Sequence, residues 1–311
     1  MPFFSVIIPL YNKEHLIEQT IKSVLNQTFS DFEVVVVNDG STDNSIEVLT
    51  QLVDDRFKVI NQNNLGVSNA RNIGISASKG KYIALLDADD YWYNNHLTEL
   101  KKQIDLFPGA GLYCNNHEIN YNQNLIKPAT FNFTYGRTPI IVEDYFKSSI
   151  INSVAWTSAV AFEKNKFNSI GKFNEDLLTG QDIDLWIRFA LNYKIAFNPA
   201  ITMRYHNFES NNLSKSNFNN NRYSFINSYK NEEKSNRSLK LYLDINRYAT
   251  ALRCKINGEY ELYKRLRFEI DFSNLNFKQK LLLNCPIPFL KLAKNTQKLL
   301  IKNKIYLSAH K

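Results

Sequence analysis

Two carboxylates one residue apart, Asp87 and Asp89, close the short apolar run Tyr82–Leu86. At the end of a buried strand such a pair is costly without a counter-ion. A divalent cation carrying a diphosphate answers that need, because hard cations take carboxylate and phosphate oxygens. Taken alone, the spacing fits an acid-rich helix N-terminus as well. Other polar clusters follow apolar runs in the same way: Tyr11-Asn12 after Phe4–Pro9, and Asp39-Gly40-Ser41 after Phe32–Val37.

The elements that must hold these residues follow from periodicity. Phe4–Pro9, Phe32–Val37, Phe57–Asn61 and Tyr82–Leu86 read as strands, the first without the alternation of a half-exposed strand and so buried on both faces. Between them, helical spacing runs from Asn12 to Gln27 (Leu16, Ile17, Ile21, Val24, Leu25), then from Thr42 through Leu52, then from Gly66 to Ser78. Alternation of this kind predicts an α/β fold with a mostly parallel central sheet flanked by helices. Ligands in such sheets bind at the carboxyl ends of the strands, where the three polar clusters fall. Further on, residues 122–139 read as a loop, Val154–Phe162 as a strand and Asp182–Leu191 as a helix. Residues 207–221 are rich in Asn and Ser and read as a flexible loop. A helical C-terminal extension follows over 222–311, so the expected division is 1–206, 207–221 and 222–311.

Composition narrows the class. Hydrophobic residues make up 44% and charged residues 22% of 311, which argues against wholesale disorder. Cys114, Cys254 and Cys285 lie far apart, odd in number and without a CxxC, so neither a disulfide framework nor a zinc site is expected, and a reducing compartment is. No basic, apolar leader opens the chain, and no stretch reaches the ~18 apolar residues of a spanning helix. Neither a secreted nor a multispan membrane protein is expected. The net charge of +8 is uneven: residues 207–311 carry 20 Lys+Arg against 8 Asp+Glu, while 1–206 are slightly acidic. In the tail, Phe289, Leu292, Ala293, Leu300 and Leu307 can share one helix face flanked by Lys291, Lys294, Lys298 and Lys302. That pattern fits a helix lying in a membrane interface, and equally a stripe packed on the body.

Four motifs occur in order: Val6–Asn12, Val37–Asp43, Asn69–Gly74 and Leu86–Asp90. With Gly171–Glu175 and Gly180–Arg188 they resemble the family 2 glycosyltransferases, of GT-A nucleotide-sugar fold, over roughly residues 3–206. The resemblance implies a role for each residue. Pro9 and Tyr11 form the wall for nucleobase and ribose, and a ring face there suits base stacking. Asp39 accepts from a uracil imino group. Arg71 contacts the nucleotide or diphosphate, to which a guanidinium fork is matched. Asp87 lies near ribose and metal, Asp89 ligates Mn²⁺ or Mg²⁺, and His206 reaches the metal or diphosphate. Asp182 is the general base; where the family usually has Glu-Asp, this chain has Gln181-Asp182, and losing that like charge should leave Asp182 with a less elevated pKa. Each residue also has a plain structural reading: Tyr11 as a strand-end aromatic, Asp39 and Asp43 as turn formers, Asp182 as a helix cap, His206 as a structural histidine.

The function implied is an inverting, metal-dependent, non-processive transfer from a nucleotide-diphosphate sugar, UDP-linked by the resemblance and Asp39, to a hydroxyl on a lipid-linked or cell-surface glycan. No Q-x-x-R-W of processive synthases occurs. A sugar-1-phosphate nucleotidyltransferase would need a glycine-rich phosphate loop, and Val6–Lys13 has no Gly. The alternative is a non-catalytic protein binding membrane or nucleic acid through its basic tail, which would leave the first 206 residues unexplained. The expectation is therefore a cytoplasmic enzyme attached peripherally to the inner face of the cell membrane, with no nucleic-acid partner.

Overall fold

The computed structural model describes residues 1–52, 54–122, 125–207 and 217–305. β1 (Phe4–Leu10), β2 (Phe32–Asp39), β3 (Phe57–Gln62) and β4 (Tyr82–Leu85) alternate with α1 (Ile17–Leu25), α2 (Ser45–Thr50) and α3 (Val67–Ala77). The four strands run parallel in the order β3-β2-β1-β4. Both faces of β1 and β2 are covered, which is why these strands are apolar at most positions and show no alternation. Phe4, Val6, Ile8, Val34 and Val36 pack with Ile17, Ile21 and Val24 of α1. Ile7, Val35 and Val37 pack with Ala70 and Ile75 of α3 in a separate core. Gly74 lets α3 approach closely: a Cβ there would stand 2.6 Å from Ile7 Cγ2 and 3.1 Å from Val37 Cγ2. The first helix begins at Ile17 and not at Asn12, because Asn12 takes a left-handed backbone (φ 51) that Asn tolerates and a helix does not.

The second half adds β5 (Tyr91–Trp92), α4 (His96–Leu106), β6 (Leu112–Asn122), β7 (Leu125–Pro128), β8 (Ile140–Val142), α5 (Tyr145–Ser148), β9 (Val160–Glu163), α6 (Lys164–Ile170), α7 (Gln181–Asn192) and β10 (Ile195–His206). The sheet continues β4-β9-β6-β10-β5. β9 is antiparallel to both neighbours, β6 and β10 are parallel, and β5 closes the path antiparallel. Thus the sheet is parallel in its first half and mixed in its second. Within the expected strand Val154–Phe162 only the end is strand; Thr157–Ala159 form a 3₁₀ turn before β9. β7 lies inside the expected loop 122–139. β6 and β10 escape periodicity: β6 buries Asn115, Asn116 and His117 among its apolar residues. β10 contains Pro199 at a shift of register between Asn198 and Ile201, the position proline takes within a sheet.

The C-terminal segment comprises α8 (Asn219–Asn227), α9 (Glu232–Ser235), α10 (Arg237–Asn257), α11 (Tyr260–Glu269), α12 (Phe277–Asn284) and α13 (Ile287–Lys302). Most of the expected loop 207–221 lies outside the described residues, and Asn219–Asn221 open α8. The segment is fastened to the sheet domain. Leu239, Tyr242 and Leu243 of α10 join the core that holds Trp186 and Phe189 of α7. Tyr229 donates to Asp184 Oδ1 at 2.5 Å.

Candidate active site

The carboxyl ends of β1, β2 and β4 are locked to one another before any ligand is considered. Asn12 N–H donates to Ser41 Oγ at 3.1 Å, and Thr42 N–H donates to Asn12 Oδ1 at 2.8 Å. Asp43 takes N–H groups from Glu14 and Ser45 at 3.0 Å each, the turn-forming role its position allows. Thr20 on α1 donates to the carbonyls of Ala88 and Asp90. These bonds hold the loops after β1, β2 and β4 around a cavity of about 870 Å³, whose lining includes Pro9, Tyr11, Asp39, Arg71, Asp87, Asp89 and Asp182. The structure therefore gathers every predicted site residue except His206 on one cavity.

Within it, Arg71 and Asp89 are each paired with an opposite charge. Arg71 is 3% exposed, and its Nη2 meets Asp87 Oδ1 at 2.5 Å. Among the described residues, its Nε and Nη1 are buried without a hydrogen-bond partner. Two such donors left without an acceptor are expensive unless an anion reaches them. The guanidinium also lies 5.3 Å from the Phe173 ring centroid. That ring is fixed from α3 itself: Asn72 Nδ2 donates to Phe173 O at 2.9 Å, Phe173 N–H donates back to Asn72 Oδ1 at 3.1 Å, and Asn69 and Asn72 both donate to Glu175. The two motifs Asn69–Gly74 and Gly171–Glu175 are thus halves of one clasp that seats Arg71. Those amide bonds hold the Glu175 carboxyl below its ordinary pKa.

Asp89 Oδ2 pairs with Lys13 Nζ at 2.6 Å. Burial pushes the Asp89 pKa up, Lys13 opposes, and the charge of Asp87 adds to the rise. Lys13 went unrecognised in the sequence, although a cation directly after Tyr11-Asn12 at a strand end was visible. Asp90 is fully buried, with its pKa driven well above normal chiefly by burial; Ser158 Oγ donates to it at 2.6 Å and the His206 N–H at 3.2 Å. Ser158 also accepts the Asp87 N–H at 3.0 Å. The 3₁₀ turn therefore braces the acidic strand end from beneath. His206 packs beside this strand end with Nδ1 2.7 Å from Asp89 O. Among the described residues, no three His, Cys, Asp or Glu side chains converge as a metal cluster.

Asp39 is 4% exposed and its carboxylate fixes the next loop, accepting from Gln62 Nε2 (2.7 Å), Leu65 N–H (2.8 Å) and Gly66 N–H (2.9 Å). Tyr11 is 46% exposed, a ring presented at the mouth. Asp182 lies in the first turn of α7, after Gly180 in the left-handed region (φ 78), where a Cβ would meet Phe225 Cδ1 at 3.3 Å. Burial raises the Asp182 pKa, the Arg71 charge lowers it and Asp87 raises it again. The elevation thus persists without the usual neighbouring Glu, because desolvation supplies it. Asp184, the rival carboxylate, is consumed by Arg188 and Tyr229.

The rest of the lining comes from segments the sequence did not implicate. Ile150, Ile151, Phe225, Ile226, Tyr242 and Ile245 give an apolar wall, and Arg222 and Arg253 bring positive charge to it. Arg222 Nη2 donates to Thr179 Oγ1 at 3.2 Å, next to the turn that carries Asp182. Burial, then the neighbouring Arg253 charge, depress the Arg222 pKa to about 10.

Comparison with known proteins places this geometry. The family model described as glycosyl transferase family 2 matches residues 5–171, more than half of the chain. The uncharacterized glycosyltransferase EpsJ of Bacillus subtilis is 44% identical over 119 residues, 36% of this chain and 35% of that protein. Glycosyltransferase GlyA of Streptococcus pneumoniae is 31% identical over 195 residues, 58% of this chain and 28% of that protein. The chain therefore matches about a third of the length of these curated relatives. In fold it is similar to S. aureus TarS 1–349, crystallised with UDP-GlcNAc: TM-score 0.68 at 20% identity, covering 85% of this chain and 79% of that one.

Proposed function

The chain belongs to glycosyl transferase family 2, and on that premise we propose that it is an inverting glycosyltransferase that moves a sugar from a UDP-sugar to an acceptor hydroxyl. The observation that carries this is the convergence of Arg71–Asp87, Lys13–Asp89 and Asp182 on one cavity at the carboxyl ends of parallel strands. The two orphaned donors of Arg71 call for an anion, and a diphosphate supplies it. Tyr11 offers a ring face for the base. UDP is favoured by Asp39, whose carboxylate has lone pairs beyond the three bonds it accepts, and by the UDP-GlcNAc bound to the similar TarS fold.

A divalent metal fits the donor set. Asp87 Oδ2 and Asp89 Oδ1 take no side-chain hydrogen bond from another described residue, and carboxylate with diphosphate oxygens is the environment Mg²⁺ or Mn²⁺ prefers. Asp87 and Asp89 would hold the ion, with His206 beside them, and it would stabilise negative charge on the departing diphosphate. Asp182 takes the proton from the acceptor hydroxyl; that oxygen forms the new bond to the anomeric carbon as the bond to the diphosphate breaks on the opposite face. Its raised pKa brings a carboxylate closer to the working pH of a general base. On the other wall, apolar residues beside Arg222 and Arg253 suit an amphipathic, anionic acceptor, which supports a lipid-linked glycan.

The test is calorimetric titration with UDP-, GDP- and dTDP-sugars, with and without Mn²⁺, on wild type and Asp89→Ala. Metal-dependent binding of UDP-sugars alone, lost in the variant, is expected. Folded wild-type protein that binds none of them would overturn the proposal.

A further inference from the structure

The apolar side chains of α11, α12 and α13 fall into two sets. All three helices pack on α10, burying Leu262, Leu266, Leu283 and Leu290. The second set faces solvent: Phe268, Phe277, Leu281, Phe289, Leu292 and Leu299 are 91%, 80%, 58%, 62%, 62% and 60% exposed. Single exposed apolar residues are ordinary on a soluble surface, but clusters mark contact sites. Among the described residues the exposed phenylalanines are Phe218, Phe268, Phe277 and Phe289, so this exposure is concentrated in one part of the fold. Phe277 and Leu281 are one turn apart on α12, and Phe289 and Leu292 one turn apart on α13, so each pair shares a helix face. Of the stripe, Phe289, Leu292 and Ala293 are exposed and Leu300 is half-buried, while Leu290, outside the stripe, packs on the body. Leu307 lies outside the described residues.

Charge identifies the partner. Lys278, Lys280, Lys291, Lys294, Lys302 and Lys304 accompany these apolar residues, and no acid follows Asp271. A second copy docked on the same surface would set lysine against lysine. An apolar protein surface would leave the lysines unmatched. A bilayer with anionic headgroups meets both demands, taking the rings into the headgroup–acyl boundary and the ammonium groups at the phosphates. Among the described residues no helix is long and apolar enough to cross a membrane, so the arrangement is one of lying on the surface.

We infer that α12 and α13, with Phe268 at the end of α11, form a docking face for an anionic lipid bilayer. The inference is independent of the catalytic reading, since none of these residues lines the cavity. The experiment is co-sedimentation of the full chain with phosphatidylcholine vesicles, with and without phosphatidylglycerol, for wild type and for the double variant Phe277→Ser/Phe289→Ser. Both side chains are largely exposed, so the variant should keep the wild-type melting temperature. The expected result is binding to the anionic vesicles only, weakened by added salt, with partitioning about tenfold lower in the variant. Equal binding of variant and wild type, binding of neither, or salt-independent binding to both vesicle types would overturn the proposal. So would a dimer in solution that the substitutions dissociate while vesicle binding is absent, since the face would then belong to a second copy.

Discussion

On the wall built from the ends of β1, β2 and β4, polar side chains are fixed by partners from other elements: Asp39 by the 62–66 loop, Asp89 by Lys13, Arg71 by Asp87 and the Phe173 clasp. On the wall built from α8, α10 and residues 149–156, the lining is mostly apolar, with two neighbouring arginines. A preorganised polar wall suits a ligand part that is always the same, a nucleoside diphosphate. An apolar wall with isolated charge suits a part that differs from enzyme to enzyme. The family match spans residues 5–171, which include the 149–156 part of the second wall but not Asp182, α8 or α10.

The comparison breaks most sharply at Asp182, which stands between the walls. If Asp182 is the base, Asp182→Asn should lower kcat by roughly 10²–10⁴-fold while donor affinity in calorimetry stays near wild type. A carboxylate whose pKa is raised must still be deprotonated to accept a proton. Activity should therefore fall, as pH drops, through a value above the ordinary aspartate range, and that acidic limb should vanish in the variant. A matching loss of donor affinity would assign Asp182 to the donor wall instead.

The polar wall can be tested through its support. Gly74→Ala places a methyl 2.6 Å from Ile7 Cγ2, so α3 must shift from the sheet or the sheet must yield. Overpacking of this kind costs about 1–3 kcal/mol, to be read from denaturant unfolding. Because Arg71 rides on the same helix, UDP-sugar affinity should fall as well, while acceptor KM changes little. Unchanged affinity at reduced stability would show that the clasp through Asn72 and Phe173 seats Arg71 without help from the helix.

The same asymmetry decided what could be read from sequence. β1, β2 and β4 announced themselves because strands buried on both faces are apolar runs, and the residues after them had to line the strand ends. Asp87 and Asp89 were visible as carboxylates with nothing local to neutralise them. Lys13, their answer, lies 76 positions from Asp89, and no local pattern joins the two. β6 and β10 hid behind buried Asn and His and a proline bulge. The second wall was illegible because α10 shows only helical periodicity: nothing in Arg253 as a letter tells that tertiary packing turns it toward a cavity and not toward water.

The smallest expected effect sharpens that last point. Arg253 lines the cavity from α10, beside Arg222, and burial lowers its pKa. If the acceptor is anionic, as proposed, Arg253 is placed to meet it. Arg253→Ala should then raise the KM of an anionic acceptor by about tenfold, the ~1.4 kcal/mol scale of one charge-assisted hydrogen bond. Donor affinity and the rate with an uncharged acceptor analogue should not move. An equal rise in KM for charged and uncharged acceptors would reduce Arg253 to a packing residue, and the second wall would then select its acceptor by apolar contact alone.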